Sequence, residues 1–327
     1  AAFAIGGVQI RDAQLVWDDR AAGSRQSIEQ LDIQLGAIEG SRPVDLSMDF
    51  QLKGEKPART AQVKLTGVVT VADTQKQIEI ANLKLAVDAQ GEGVPGGQLV
   101  ADLSAGLAVD MEKHTLAVRD LLLKAFDLSL RGQVQGSGIG ADTPQFTGTL
   151  KLDEFVPRDL LKKLGQQVPE TSDAAVLGKA AAEAAFKAGT KSASLSDLKL
   201  RLDDTRITGS AGISDFSTAA VTFNLIVDAI DLDRYLPPRK PEPTKPESAA
   251  PAPATAGSAS AAGAAALLPV DTLRGLKLNG TLKIGQLKAY QMKSSDVSVT
   301  LAANGGLVRA HPASASSRKP LFTRPSR

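Results

Sequence analysis

The chain has 327 residues, of which 43% are hydrophobic but only 4% are aromatic, so its apolar surface is almost entirely aliphatic. This hydrophobic content excludes a chain that is disordered throughout. The sequence contains no cysteine, which excludes disulfides, thiolate metal sites and cysteine nucleophiles. Its 38 basic and 36 acidic residues are interspersed, and this even balance argues against nucleic acid as a partner.

Alternation of apolar and polar residues is the main pattern along the chain. From residue 44 to residue 52 every second residue is apolar, which places these side chains on one face of a strand. Similar runs recur between turns rich in glycine and proline. The residues that we predict to line the apolar face are Val44, Leu46, Met48, Phe50, Leu52, Leu83, Leu85, Val87, Leu198, Leu200, Leu202, Phe223, Leu225, Val227, Leu282 and Ile284.

Short connections between strands of this kind indicate antiparallel pairing, because parallel strands need long crossovers. We therefore predict a mainly β fold: a long curled antiparallel meander sheet that forms an apolar groove, with a few short helices. One helix is predicted near 157–165, where a proline opens the segment and a glycine ends it. A second is predicted near 173–188, where an aspartate precedes an alanine-rich stretch.

The alternating pattern also divides the chain into segments. Residues 1–236 are predicted to form the first part of the sheet, and residues 269–309 its continuation. Between them, residues 237–268 are rich in proline and alanine and are predicted to be a disordered linker. Residues 310–327 show no period and are predicted to be an aperiodic tail.

A sheet with one apolar face must hide that face from water. It can fold on itself as a sandwich, close as a barrel, or remain a curled gutter whose lining holds another molecule. The low aromatic content favours the gutter, since aliphatic side chains form a smooth wall suited to acyl chains. The sandwich remains an equal alternative from the pattern alone.

Smaller motifs suggest structural roles. Asp231 and Asp233 lie where a strand gives way to a short helix, so a solvated or capping role is favoured over metal binding. Asn279 and Gly280 stand between two alternating runs and predict a hairpin turn. With two histidines and no cysteine, a nucleophile has no base of the usual kind. We therefore expect no enzymatic activity and no cofactor or metal.

Two runs on either side of the proline- and alanine-rich segment carry a family resemblance. The flanking runs are residues 230–238 (IDLDRYLPP) and 268–284 (LPVDTLRGLKLNGTLKI). Residues 7–19 (GVQIRDAQLVWDD) and 287–290 (LKAY) extend the likeness. In their sequences and in their order along the chain these segments resemble the AsmA family of bacterial envelope proteins, over roughly residues 7 to 309.

That family is similar in architecture to the repeating β-groove proteins that transfer lipids. The resemblance implies a periplasmic segment of a protein anchored in the inner membrane through an N-terminal helix that this chain lacks. It also implies phospholipid or another acyl lipid as partner, carried between the inner and outer membranes in support of outer-membrane biogenesis. The alternative is a non-enzymatic scaffold that assists outer-membrane protein assembly through an exposed edge strand or surface, with other envelope proteins as partners.

Overall fold

Nearly all of the strands expected from the alternating pattern are present in the computed structural model, which describes residues 4–19, 24–72, 74–238, 277–304 and 307–313. The predicted fold class is confirmed: the protein is mainly β, with a curled, mostly antiparallel sheet and few helices. The chain divides into two compact units. The first comprises Ala1–Val168 and Leu177–Asp203, and the second comprises Pro169–Val176 and Asp204–Arg327.

The first unit is built from successive antiparallel strands, and most neighbours are joined by short turns. A two-stranded sheet pairs β1 with β4, and the large sheet has the order β2-β3-β5-β6-β7-β8-β9-β10-β11-β12-β13. The strands are β1 (Ala4–Ile5), β2 (Val8–Asp19), β3 (Ser24–Leu35), β4 (Ile38–Glu39), β5 (Val44–Glu55), β6 (Ala58–Val71), β7 (Gln77–Gly91), β8 (Gln98–Asp110), β9 (Thr115–Ala125), β10 (Leu128–Ser137), β11 (Gln145–Phe155), β12 (Ala180–Gly189) and β13 (Ala193–Leu202). A 3-10 turn (Pro95–Gly97) precedes β8, and the helix α1 (Pro157–Lys163) follows β11.

The second unit also consists of neighbouring strands, five in number, in the order β14-β15-β16-β17-β18. These strands are β14 (Thr205–Asp215), β15 (Ala220–Asp231), β16 (Lys277–Ala289), β17 (Met292–Asn304) and β18 (Leu307–Ala313), with a 3-10 turn (Leu232–Arg234) after β15. One pair departs from the predicted meander: β15 and β16 run parallel, in register from Ala220 opposite Lys277 to Asp231 opposite Lys288. The long connection between these strands allows the chain to return to the start of β15, which a hairpin turn could not do.

The helix expected near 157–165 is confirmed as α1. Pro157 occupies its first turn, where the missing N–H costs no hydrogen bond, and Gly165 follows the helix with φ 70°. The second predicted helix, near 173–188, is wrong, because residues 180–189 form β12. Alanine favours a helix by only tenths of a kcal/mol per residue, roughly. Backbone pairing with β11 on one side and β13 on the other outweighs that preference here.

Two further expectations are corrected. The aperiodic tail begins later than predicted, because residues 310–313 belong to β18 and pair with β17 through backbone groups that need no alternating pattern. The hairpin expected at Asn279 and Gly280 lies inside β16 instead. A Cβ atom at Gly280 would stand 2.4 Å from the Phe223 carbonyl oxygen, so this glycine permits close approach rather than a turn. The predicted linker lies outside the described residues from residue 239 onward, as do residues 314–327.

Five bulges of the first unit, on β2, β3, β7, β9 and β13, share a backbone feature. At each one the pairing register shifts next to a residue other than glycine that adopts a left-handed conformation, with φ between 48° and 53°. These residues are Asp12, Gln30, Asn82, Asp120 and Asp197. A bulge inserts one extra residue, bends the strand and increases its right-handed twist. It also resets the alternation, so that apolar residues before and after the bulge share a face.

Asn82 offers a direct test of the bulge conformation. We expect Asn82→Val to destabilise the protein by about 1–2 kcal/mol, because a β-branched side chain is poorly tolerated at positive φ. Asn82→Gly, which fits the same conformation, should stay within about 0.5 kcal/mol of the wild type. Urea denaturation measures both, with Lys84→Val on the same strand as the control. Equal stability of the valine and glycine variants would contradict the assignment.

Candidate functional site

A continuous row of apolar side chains crosses the strands of the first unit from β2 to β13. Residues directly opposite each other on paired strands point to the same face, so the register identifies which side chains are neighbours. From β2 to β13 the partners form one unbroken series, called here the long apolar row. Its members are Ile10, Ile33, Met48, Leu65, Leu85, Leu103, Leu123, Leu130, Leu152, Ala182 and Leu200.

A second series lies on the same face. Val44 and Met48 are four residues apart on β5, so both rows share the face that we call the apolar face. The short apolar row runs from β5 to β13 through Val44, Val69, Ile80, Leu107, Val118, Val134, Gly148, Phe186 and Leu195. At about 3.3 Å per residue the two rows are about 13 Å apart on β5, and at about 4.8 Å per strand the long row extends about 48 Å.

The apolar face is only partly shielded from water. Among the described residues, six apolar side chains are buried: Ile38, Val44, Ala105, Val176, Ala184 and Val227. In the long apolar row Ile10 is exposed and all other members are half-buried. A sandwich would bury such a face against a second sheet. The open gutter therefore describes the first unit better than the sandwich does.

All sixteen residues that the sequence predicts to line the apolar face lie on strands, and within each unit they share one face. The eleven on β5, β7 and β13 share the apolar face of the first unit, and the long apolar row connects them through Met48, Leu85 and Leu200. The five in the second unit also share a face, with Leu225 opposite Leu282 and Val227 opposite Ile284. Val44 and Val227 are buried, at 7% and 6% exposure, and the other fourteen are half-buried.

Eight members of the long apolar row were not among the predicted lining residues. They are Ile10, Ile33, Leu65, Leu103, Leu123, Leu130, Leu152 and Ala182. A sequence signal exists for Leu65, because residues 61–66 alternate as strictly as β5 does. At Leu123 the signal is hidden, because residues 121–123 are three consecutive leucines and do not show which face each occupies.

The opposite face of the first unit is polar, and several of its charges are paired across strands. Asp49 and Lys64 stand opposite each other with 3.2 Å between Oδ2 and Nζ, and Glu183 and Lys199 are 3.4 Å apart. The hydrogen bond from the Lys53 ammonium holds the pKa of the Glu29 carboxyl below its usual value. The two faces of the sheet thus differ sharply: one is apolar, and the other carries solvated charges of both signs.

A buried carboxylate closes the loop that follows α1. Asp203 is 7% exposed, and its two oxygens accept hydrogen bonds from the backbone N–H groups of Leu177, Gly178 and Lys179 at 2.8, 2.9 and 3.1 Å. The side chain thereby satisfies three amide donors just before β12 begins. No sequence pattern singled out Asp203, because its partners lie more than 20 residues away.

In the second unit a charged cluster fixes the turn after β15. The capping role expected for Asp231 is confirmed, because its carboxylate accepts the N–H of Asp233 at 3.1 Å. Arg234 binds Asp173 at 2.7 Å and Asp204 at 2.9 Å, and the bond to Asp173 is the main cause that raises the pKa of the guanidinium. Lys288 pairs with Asp231 at 2.7 Å, which raises the pKa of the ammonium.

Asp233 belongs to the same cluster. Its carboxylate accepts the backbone N–H groups of Tyr290 and Gln291, at 2.5 and 2.9 Å. The turn between β16 and β17 is therefore tied to the end of β15. Both aspartates of the pair singled out in the sequence act as backbone acceptors, which is a structural role.

Within the described ranges, no group of three or more histidine, aspartate or glutamate side chains is arranged to hold a metal ion. None of the helices in the described part of the chain has both the length and the apolar character that crossing a bilayer requires.

Comparison with known proteins gives one match. The profile of the AsmA family matches residues 1–316, nearly the whole chain. Comparisons with curated proteins and with solved structures find no match. The extent of the family match, which covers nearly the whole chain, shows that the chain belongs to the AsmA family, a family of bacterial envelope proteins.

Proposed function

We propose that this chain is a segment of a periplasmic lipid conduit. Its apolar face would shield the acyl chains of phospholipids that move between the inner and outer membranes, while the head groups remain in water. The role supports outer-membrane biogenesis and requires no enzymatic step. The observation that carries the proposal is the long apolar row, unbroken across eleven strands and half-buried rather than closed into a core.

The dimensions of the apolar face suit acyl chains. A bilayer core is about 30 Å thick, so one acyl chain occupies about 15 Å. The long apolar row extends about 48 Å and the two rows lie about 13 Å apart. An acyl chain therefore has room to lie along the long row or across the face from one row to the other. Each methylene moved out of water contributes about 0.8 kcal/mol, so transfer of one acyl chain from water to the apolar face is favourable by roughly 10 kcal/mol.

The composition of the rows supports movement rather than tight binding. Leucine, valine, isoleucine and alanine present no hydrogen-bonding groups, so successive strands offer a lipid nearly equal environments. Without a deep pocket, an acyl chain can pass from one strand to the next with little change in free energy. The chain belongs to a family of bacterial envelope proteins, which agrees with a route between two membranes.

Photocrosslinking in the full-length protein tests the proposal. A photoreactive amino acid at Met48, Leu200 or Leu225 is expected to capture lipid, because each of these side chains lies on an apolar face. Gln51 is the control, since it lies on the polar face of β5 opposite Gln62. Mass spectrometry identifies the adducts. Lipid capture at the three apolar positions no greater than at Gln51 would contradict the conduit.

A second candidate is a scaffold that pairs with envelope proteins through an edge strand. The observation that favours it is β2, which lies at the edge of the large sheet and exposes Leu15, Val16 and Trp17 at 56%, 50% and 77%. Exposed apolar residues on an edge strand are typical of strand addition by a partner. In this case a photocrosslinker at Trp17 would capture protein, and the apolar rows would capture no lipid.

A further inference from the structure

One end of the apolar face finishes in a polar row that contains an arginine. The row next to this end is apolar and consists of Leu15, Ile28, Leu52, Ala61, Ala89 and Leu99. Two residues further along each strand the partners are Trp17, Gln26, Gly54, Arg59 and Gly91, called here the rim row. Because the shift is two residues, the rim row lies on the same face as the apolar rows.

The side chain of Arg59 lies over Gly54, its partner on β5. A Cβ atom at Gly54 would stand 3.2 Å from Arg59 Cγ and 3.5 Å from Arg59 Nε, so the arginine occupies the space that a side chain at position 54 would take. On the other side, Gly91 has φ 120°, and a Cβ there would stand 2.3 Å from the Ala58 carbonyl oxygen. Gly54 thus makes room for the Arg59 side chain on the apolar face, whereas Gly91 permits the close approach of the β6 backbone.

The Nε atom of Arg59 is buried and has no hydrogen-bond partner among the residues that the structure describes. No described carboxylate forms an ion pair with Arg59, whereas nearby Arg25 and Lys53 pair with Glu55 and Glu29. A buried donor without an acceptor is unfavourable, and few native side chains remain in that state. One of the five guanidinium N–H donors of Arg59 is therefore left without an acceptor.

We propose that Arg59 binds the phosphate of a lipid head group whose acyl chains lie on the adjoining apolar rows. The guanidinium presents a planar fork of donors that matches phosphate oxygens, and its charge strengthens each hydrogen bond. Trp17, 77% exposed in the same row, is the residue type found where apolar and aqueous regions meet. The assignment rests on the conduit proposed above and names the chemical group that the conduit holds at this end.

Calorimetric titration of the purified full chain tests the assignment with three probes: dioctanoyl phosphatidic acid, dioctanoylglycerol and inorganic phosphate. The two lipids have the same chains and differ in the phosphate. Arg59→Gln is expected to weaken phosphatidic acid binding about tenfold and to leave dioctanoylglycerol binding unchanged. Arg59→Lys, which keeps the charge but loses the fork, should weaken phosphatidic acid binding about threefold. Fluorescence of Trp17, the single tryptophan, provides a second readout.

Arg25→Gln is the matched control, because Arg25 carries the same group at the same end of the sheet but pairs with Glu55. It should bind both lipids as the wild type does. The melting temperature of Arg59→Gln should equal that of the wild type, and a lower value with unchanged phosphatidic acid binding would assign Arg59 a purely structural role.

The outcomes separate this assignment from the conduit itself. Equal phosphatidic acid binding by wild type and Arg59→Gln, with both lipids bound, would overturn the head-group assignment and leave the conduit standing. Binding of inorganic phosphate as tightly as phosphatidic acid would make Arg59 a free-anion site and overturn the assignment too. Failure of the wild type to bind either lipid would overturn both proposals.

Discussion

An aspartate in the middle of the long apolar row is expected to stop lipid transfer. In Leu123→Asp the carboxylate would face the acyl chains between Leu103 on one neighbouring strand and Leu130 on the other. An acyl chain placed against an ionised carboxylate displaces the water that solvates it, which costs several kcal/mol, and about 1.4 kcal/mol corresponds to a factor of ten. We expect the rate of lipid transfer between donor and acceptor vesicles by the full-length protein to fall at least about tenfold.

The adjacent residue supplies a matched control. Leu122 is half-buried like Leu123 but points to the other face, where its partners are Ser104 and Arg131. Leu122→Asp introduces the same charge one residue away and should transfer lipid within about twofold of the wild type. Equal loss in both variants would indicate damage to the sheet. Normal transfer by Leu123→Asp would mean that lipid does not pass along this row.

Loss of the Asp203 carboxylate is expected to destabilise the first unit strongly. In Asp203→Ala the backbone N–H groups of Leu177, Gly178 and Lys179, which make three part-buried hydrogen bonds, lose their acceptor. An unsatisfied buried donor costs about 1–3 kcal/mol, and partial access of water to the three amides reduces their sum. We expect unfolding in urea to require about 3 kcal/mol less free energy than in the wild type.

Hydrogen exchange gives a local readout of the same change. The amides of Leu177, Gly178 and Lys179 should lose protection in Asp203→Ala, while amides in the middle of β5 and β6 keep theirs. Asp88→Ala, an exposed aspartate on β7, is the control and should change stability by less than about 0.5 kcal/mol. If the two alanine variants were equally stable, the three hydrogen bonds would contribute nothing.

The parts of the fold that could be predicted are those where a residue's own neighbours in sequence determine its environment. On β5 the alternation from Val44 to Leu52 identified both faces of the strand, and the structure places its apolar residues on the apolar face. The helix α1 has its own start and stop signals in Pro157 and Gly165. Such features need no information about which strand lies next to which.

The alanine-rich stretch shows the opposite case. Locally, the sequence of β12 favours a helix, and the reason for its strand conformation lies in β11 and β13. Ala182 becomes part of the long apolar row because Leu152 and Leu200 flank it. Neither contact can be inferred from the residues around Ala182.

The bulges explain why the rows themselves could not be predicted. Ile80 and Leu85 are five residues apart, so a regular strand would place them on opposite faces. The extra residue at Asn82 brings both to the apolar face, one in each row. A rule that allows asparagine or aspartate before an apolar residue to reset the alternation would have joined the separate runs, since Asp12, Asp120 and Asp197 occupy equivalent positions.

The way the long apolar row is assembled bears on how such proteins diversify. From β5 to β10 each strand is joined to the next by a short turn, and each contributes one side chain to the row. Duplication or loss of one hairpin, two strands, therefore lengthens or shortens the path by about 10 Å and leaves the direction of every later strand unchanged. The length of the apolar row can thus change in steps of one hairpin without any change to the side chains of the strands that remain.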